Sequence, residues 1–494
     1  MLPPTLLSLI LAVLLATPLA GQLWHYWRRS VPAAITRRPS VRESKPGPPY
    51  EWNMTTLYVA YAVAAIAIAA LLARELGAAP LGARHLSVAL GMLAGGMACL
   101  LAAPFYPLSG PIAYLLLSYT FPREHAVTET LMAIDAMSWM AALSLAATVV
   151  WSLRRFGRIA MPRGRIVSAA SAFAAWLAVA IVVAVVNGRP LEPDLVGRSE
   201  RYVHALALFL VAAASRPGLR DVRILALAMS LALVIRQLLL TAVWLNEQNL
   251  AMLAAMTVPF ALAVAACRPL SVLQIPLAAA VAYLAVMVLL VQNRGAMLGL
   301  GASFLGLWAT ARARGRWLVV LVAVSLTAIV LAARQGLLNR FLEIYADGRF
   351  LGTAAERIDI WWGGLQIASG HWLFGVGPGN FALFLGPYLS PGREINNPHN
   401  SFVEVLSEAG LPALILYVVM FVVAAQVLMA LARQFRSGWR RNLASGLLGA
   451  FAAYLVAGFF LSNPSLVWMW VLLGVAAAAE HTSPRPDRMP ESGA

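Results

Sequence analysis

The sequence predicts an all-α, polytopic membrane protein: a transmembrane helical bundle of about 12–14 spans with a large periplasmic loop that carries short helices. Three observations predict it. Hydrophobic residues fill 61% of the 494 positions and charged residues only 12%, against about 25% charge in soluble domains; mean hydropathy is +0.76. Apolar runs of about 20 residues recur along the chain, each long enough to cross a hydrocarbon core of roughly 30 Å as helix, with no alternating barrel pattern among them. The arginines sit in short clusters on alternate connections, as positive-inside topology requires. The net charge of +16 therefore reports topology, and nucleic-acid binding is disfavoured. Cys99 and Cys267 both lie in apolar runs without a CxxC spacing, so neither a disulfide framework nor a zinc site is implied.

The first apolar run, 6–23, has no Lys or Arg before it and only a weak cleavage site at Ala20-Gly21-Gln22, so a retained helix or an uncleaved signal anchor is expected. Residues 28–53, rich in Pro and Arg, read as a flexible linker. Further spans are expected near 54–73, 85–103, 129–152, 167–186, 202–215, 222–244, 249–267, 270–291, 295–311 and 316–334, then 411–432, 442–461 and 464–480. Between 104 and 122 the Pro-bounded apolar stretch is too short to cross, and 112–119 is taken as re-entrant or interfacial. The clusters at Arg154 to Arg165, 216–223, 312–316 and 433–441 should be cytoplasmic. That parity puts 335–410, together with the loops 105–128 and 188–201, outside. The linker 28–53 would also fall outside, so either one early span is miscounted or this loop breaks the same rule. The tail 482–494 reads as disordered.

Against this apolar background one stretch stands out, Gly392-Arg393-Glu394-Ile395-Asn396-Asn397-Pro398-His399-Asn400-Ser401. Pro398 disfavours helix at Asn397, and Ser401 with Glu404 reads as a capping box, so a helix should begin just after His399. At a helix mouth the imidazole is held neutral near physiological pH and can accept a proton; the alternative is a surface or interface histidine. Arg294, in Asn293-Arg294-Gly295-Ala296, sits between two spans, either as an interfacial anchor or as a functional cation. Arg357 follows Thr353-Ala354-Ala355-Glu356, a second capping-box pattern, which predicts a helix to about 369 with Glu356 and Asp359 beside it on a solvated face. An Arg fork matches paired phosphate oxygens and stays charged, so two of them beside a neutral His suit a polyanionic leaving group and a proton acceptor.

Trp361 and Trp362 read as an interfacial aromatic belt. Arg236, inside the 222–244 span, is expensive to bury and should be paired or functional, with Asp135 as a counter-ion to consider. Asn249 opens the next span and could line the same cavity. Gly375-Val376-Gly377-Pro378-Gly379-Asn380 reads as a tight turn, or as amides that hold an oxyanion, but it lacks the Lys-Ser/Thr of a P-loop. There is no HExxH, no DxD pair and no dinucleotide fingerprint. A substrate delivered within the bilayer to the outer leaflet fits better than a nucleotide sugar.

Over roughly 245–422 the assembled motifs resemble the O-antigen ligase and O-antigen polymerase superfamily. The resemblance rests on Asn249, on Asn293-Arg294-Gly295-Ala296, and on Arg357-Ile358-Asp359-Ile360-Trp361 leading to Trp372-Leu373-Phe374-Gly375-Val376-Gly377-Pro378-Gly379-Asn380-Phe381. It is completed by His399-Asn400 with Gly410 beyond. It implies a metal-independent, cofactor-free inverting glycosyltransferase of the inner membrane, facing the periplasm, which takes a glycan from undecaprenyl diphosphate. Ligases use a lipid A-core hydroxyl as acceptor, polymerases a second lipid-linked repeat unit, and related enzymes a protein Ser or Thr. Carried over, Arg294 and Arg357 would hold the diphosphate and His399 would deprotonate the acceptor, with Arg236, Asn249, Asn400, Gly377 and Asn380 as pocket support. Three residues after Gly410 the ligase pattern often has Gly, Thr or Tyr. Here it is Ala413, which tilts toward the polymerase.

The implied organisation is an N-terminal transmembrane region, 1–244, a ligase-like region, 245–432, C-terminal helices, 433–481, and the tail. A flippase for lipid-linked sugars is the rival from another class, and Arg236 would suit its substrate path.

Overall fold

A computed structural model describes residues 103, 106–120, 136–159, 161–188, 193–239, 248–267, 273–290, 293–310, 345–346, 349–350, 353–389, 397–435 and 438–481. The expected segments 6–23, 28–53, 54–73, 316–334 and 482–494, most of 85–103, Cys99, Asp135 and the 312–316 cluster lie outside these residues. The described chain is helical apart from one antiparallel strand pair, β1 (Tyr345–Ala346) with β2 (Arg349–Phe350). The helices are α1 (Ser109–Thr120), α2 (Ala136–Phe156), α3 (Arg165–Val186), α4 (Pro193–Ala214), α5 (Leu219–Leu239), α6 (Gln248–Ala265), α7 (Gln274–Leu290), α8 (Arg294–Thr310), α9 (Thr353–Gly370), α10 (Phe381–Leu385), α11 (Ser401–Gln434), α12 (Trp439–Gly458) and α13 (Val467–His481), with a 3-10 turn at Gly386–Tyr388.

The chain divides into two compact units, Met1–Met161 with Leu210–Ser215 and Leu231–Thr241, and the remainder. In the first, α1 packs on α2. The segment 112–119, expected to be re-entrant or interfacial, lies in a regular helix, α1, with residues from Ser109 through Leu117 buried. In the second unit α8 lies against α12, which also packs on α6 and α11, while α11 packs on α3 and α9. Small residues form the α6–α8–α12 seam: Gly306 faces Gly449, and Gly299 faces the backbone of Ala453. Without a Cβ these backbones come close, the usual basis of helix association in lipid.

Among the described residues two helices, α3 and α11, are long and apolar enough to cross a membrane. The outward face of α11 carries Leu411, Ile415, Val418, Val419 and Val422, all exposed. That is one helical stripe of hydrocarbon, costly in water and suited to acyl chains. In contrast α13 is apolar all round and is buried from Val467 to Ala478. Trp470 stacks on Phe173 and meets Phe209 edge-on, and Trp468 Nε1 donates to Thr257 Oγ1 at 3.1 Å. A helix with no polar face belongs inside a bundle.

Candidate active site

Several helix starts in the second unit meet the connection that follows α12. At the start of α8, Asn293 Oδ1 accepts from the Ala296 amide at 2.9 Å, so Asn293 caps the helix and Arg294 is its first residue. The next residue, Gly295, has its Cα against Phe460, where a Cβ would come within 2.7 Å of that side chain. Asn249, in the first turn of α6, accepts from Asn463 Nδ2 at 2.7 Å. At the start of α11, Ser401 Oγ donates to the Leu461 carbonyl at 2.8 Å and accepts from the Asn463 amide at 3.0 Å. Three helix N-termini therefore lie around one short connection. Their partial positive ends favour an anion there.

The cap of α11 corrects the sequence expectation. Asn400, not Ser401, is the N-cap: its Oδ1 accepts from the amides of Phe402 at 2.9 Å and Val403 at 3.2 Å. Asn and Ser are comparable caps, and Ser401 is used instead on the Leu461–Asn463 connection. His399 stands just before this cap, half-buried, with φ +47°. A residue with a Cβ is uncommon in that left-handed region, at an order-of-magnitude cost of about 1–3 kcal/mol that the surroundings must offset.

The electrostatics tie three predicted residues together. Burial, and then the nearby Arg357 charge, hold the His399 imidazole below its ordinary value. Burial, and then Arg294, lower the Arg357 guanidinium from its ordinary value. His399 thus lies within range of Arg357, and Arg357 of Arg294. Two guanidiniums that repel each other in a half-buried place are relieved by an anion between them. The cluster can accept a proton at a neutral imidazole and hold a polyanion at two cationic forks. Among the described residues no three His, Cys, Asp or Glu side chains converge as metal ligands.

The remaining candidates separate. Arg236 is half-buried in the last turn of α5, and its stretch belongs to the first unit. Gly377 and Asn380 lie in the turn that packs against the bend of α11. The Val376 amide donates to the Ser407 carbonyl at 2.9 Å and the Gly377 amide to the Glu408 carbonyl at 2.8 Å, while Asn380 Nδ2 donates to the Val376 carbonyl at 3.0 Å. Trp361 differs from the expected belt residue: its Nε1 donates to the Pro398 carbonyl at 2.8 Å. Trp362 is 62% exposed.

Sequence reasoning missed Ser462, Asn463, Tyr417 and Tyr454. Tyr454 OH donates to the Asn463 carbonyl at 2.9 Å and lies 2.6 Å from Tyr417 OH. A tyrosine in an apolar run usually wants a partner for its hydroxyl, and that was the one available signal.

Among the described residues, two apolar helices of membrane length suggest a helical membrane protein, and a half-buried imidazole lies near an arginine that is itself near a second. Residues 279–418 match the family described as O-antigen ligase. That stretch runs from within α7 to within α11 and contains Arg294, Arg357, Gly377, Asn380, His399 and Asn400. No curated protein matches the chain.

Proposed function

We propose that the protein is a ligase-type glycosyltransferase of the inner membrane that moves a glycan from undecaprenyl diphosphate to a lipid A-core hydroxyl at the periplasmic face. The observation that carries this reading is that Arg357, half-buried, lies close enough to feel Arg294 and to act on the half-buried His399. His399, neutral at physiological pH, takes the acceptor's hydroxyl proton. The oxygen then bonds to the anomeric carbon from the face opposite the leaving group, and the bond from that carbon to the diphosphate oxygen breaks with inversion. Its electron pair stays on undecaprenyl diphosphate, where Arg294 and Arg357 meet the growing negative charge. Positive charge in a site shielded from water stabilises such a transition state by several kcal/mol per well-placed donor. The guanidiniums supply that charge without a metal ion.

Ala413, fully buried just beyond the Gly410 bend, favours a second reading, a polymerase whose acceptor is another lipid-linked repeat. Purified protein offered labelled lipid-linked glycan together with either acceptor distinguishes them by product. Glycosylated lipid A-core is the expected product, and an elongated lipid-linked glycan supports the polymerase. Donor that changes leaflet with no diphosphate released would contradict both and leave a flippase.

A further inference from the structure

We propose that Trp361 and Ser462 are positioning residues that fix the orientation of His399 by gripping the peptide groups on either side of it. The proposal rests on His399 being the base. The carbonyl of the peptide before His399, that of Pro398, accepts from Trp361 Nε1 at 2.8 Å. The amide of the peptide after it, that of Asn400, donates to Ser462 Oγ at 3.0 Å. The planes of those two peptides define the φ and ψ of His399, because each peptide is rigid and only the two dihedrals between them are soft. Two hydrogen bonds from different elements therefore hold a residue that would otherwise leave its φ of +47°.

Both grips are anchored. Trp361 lies four residues after Arg357 on α9, so the same helical face carries the charge that acts on His399 and the indole that holds its loop. Ser462 is flanked by Leu461 and Asn463, whose carbonyl and amide bond to Ser401. The Asn463 carbonyl also takes the Tyr454 hydroxyl, which pairs with Tyr417. The connection after α12 is thereby tied to α11 and cannot drift from His399 on its own. The bare stability of the loop does not require both bonds to converge on one residue. The orientation of one side chain does.

The test uses the full-length protein purified in detergent, with rates expressed per molecule of monodisperse protein. Trp361→Phe keeps the ring and loses the donor; Ser462→Ala loses the acceptor. Each should lower kcat by about 10- to 100-fold, the scale of a misplaced catalytic group, while KM for the lipid-linked donor changes less than threefold. Ser462→Thr, which keeps the hydroxyl, should restore the rate. In the two impaired variants the acid limb of kcat/KM should move up toward the ordinary imidazole range, because a released His399 leaves its buried place beside Arg357. Lower yield or stability with unchanged kcat and an unmoved acid limb would overturn the proposal, and so would failure of Ser462→Thr to rescue. His399→Ala run in parallel separates the two ideas. An active His399→Ala removes the base and this proposal with it, whereas an inactive one beside wild-type-like Trp361→Phe and Ser462→Ala defeats the positioning role alone.

Discussion

At the scale of single residues, the pH dependence follows from the direction in which His399 is shifted. A base must be unprotonated, and both burial and Arg357 disfavour the protonated imidazole. Activity should then stay level through neutrality and fall only on the acid side, with its midpoint below pH 6.5, the ordinary imidazole value. Replacing Arg357 with Gln removes the second cause and leaves the first. The residual activity should show an acid limb moved upward, still below the ordinary value, in a profile of kcat/KM against pH. A limb that stays in place would mean that Arg357 does not face the base. Arg357 and His399 could be singled out because each stands beside a start signal for a helix, in a polar stretch of an otherwise apolar chain. The role of Trp361 could not. An indole near a membrane surface has two common fates, and only the carbonyl of Pro398, 37 residues away, decides between them.

At the scale of elements, α11 is the piece that joins the site to the bundle. It is bent at Gly410, with φ +85° and ψ 173°. There the Leu411 amide leaves the helix ladder and donates to the Trp372 carbonyl at 2.8 Å. The Gly375 turn fits into this bend, its amide neighbours bonding to Ser407 and Glu408, and Trp176 stacks on Phe374 and donates to the Ala409 carbonyl at 3.0 Å. A Cβ on Gly410 would meet the Leu373 backbone, which cannot yield as a side chain can. Gly410→Ala should cost about 1–3 kcal/mol and lower the thermal midpoint in detergent, with activity falling in proportion to the folded fraction. An unchanged midpoint would show that the clasp contributes nothing. The distance between Asn400 and Gly410 thus has a physical meaning: one residue starts the first arm of α11 and the other ends it. Both residues were readable in the sequence. That the Gly375 turn closes on Gly410 was not, since the contact carries no periodic pattern.

For the molecule as a whole, the second unit has two unlike ends. One end holds Asn249, Arg294, His399 and Asn463. The other holds Arg165, Arg216, Arg223 and Arg441. Arg223 Nη2 donates to the Cys267 carbonyl at the end of α6 at 2.8 Å, and Arg441 Nη2 to the Thr310 carbonyl at the end of α8 at 2.5 Å. Arg216 lies 2.9 Å from His481 at the end of α13. At that end too, Glu480 accepts from the Arg165 and Ile166 amides, an acidic residue at the N-terminus of α3. Those four arginines come from three of the clusters expected on one side of the membrane. The proposed function needs the basic end in the cytoplasm and the site toward the periplasm. A cysteine at Asn397 should then react with a membrane-impermeant thiol reagent added outside intact spheroplasts, while one at Arg440 should react only after lysis. The reverse pattern would turn the protein over. The arginine clusters could be read from the sequence because each is a run of close neighbours between apolar stretches. The closing of the site by Ser462 and Asn463 could not, because those contacts join residues 62 and 214 positions apart. The most direct measurement is the release of undecaprenyl diphosphate from a lipid-linked glycan by purified wild-type protein and by His399→Ala, with an acceptor present. The wild type should release it and the variant should be slower by roughly 10²- to 10⁴-fold, the usual worth of a general base; equal release by both would contradict the proposed chemistry.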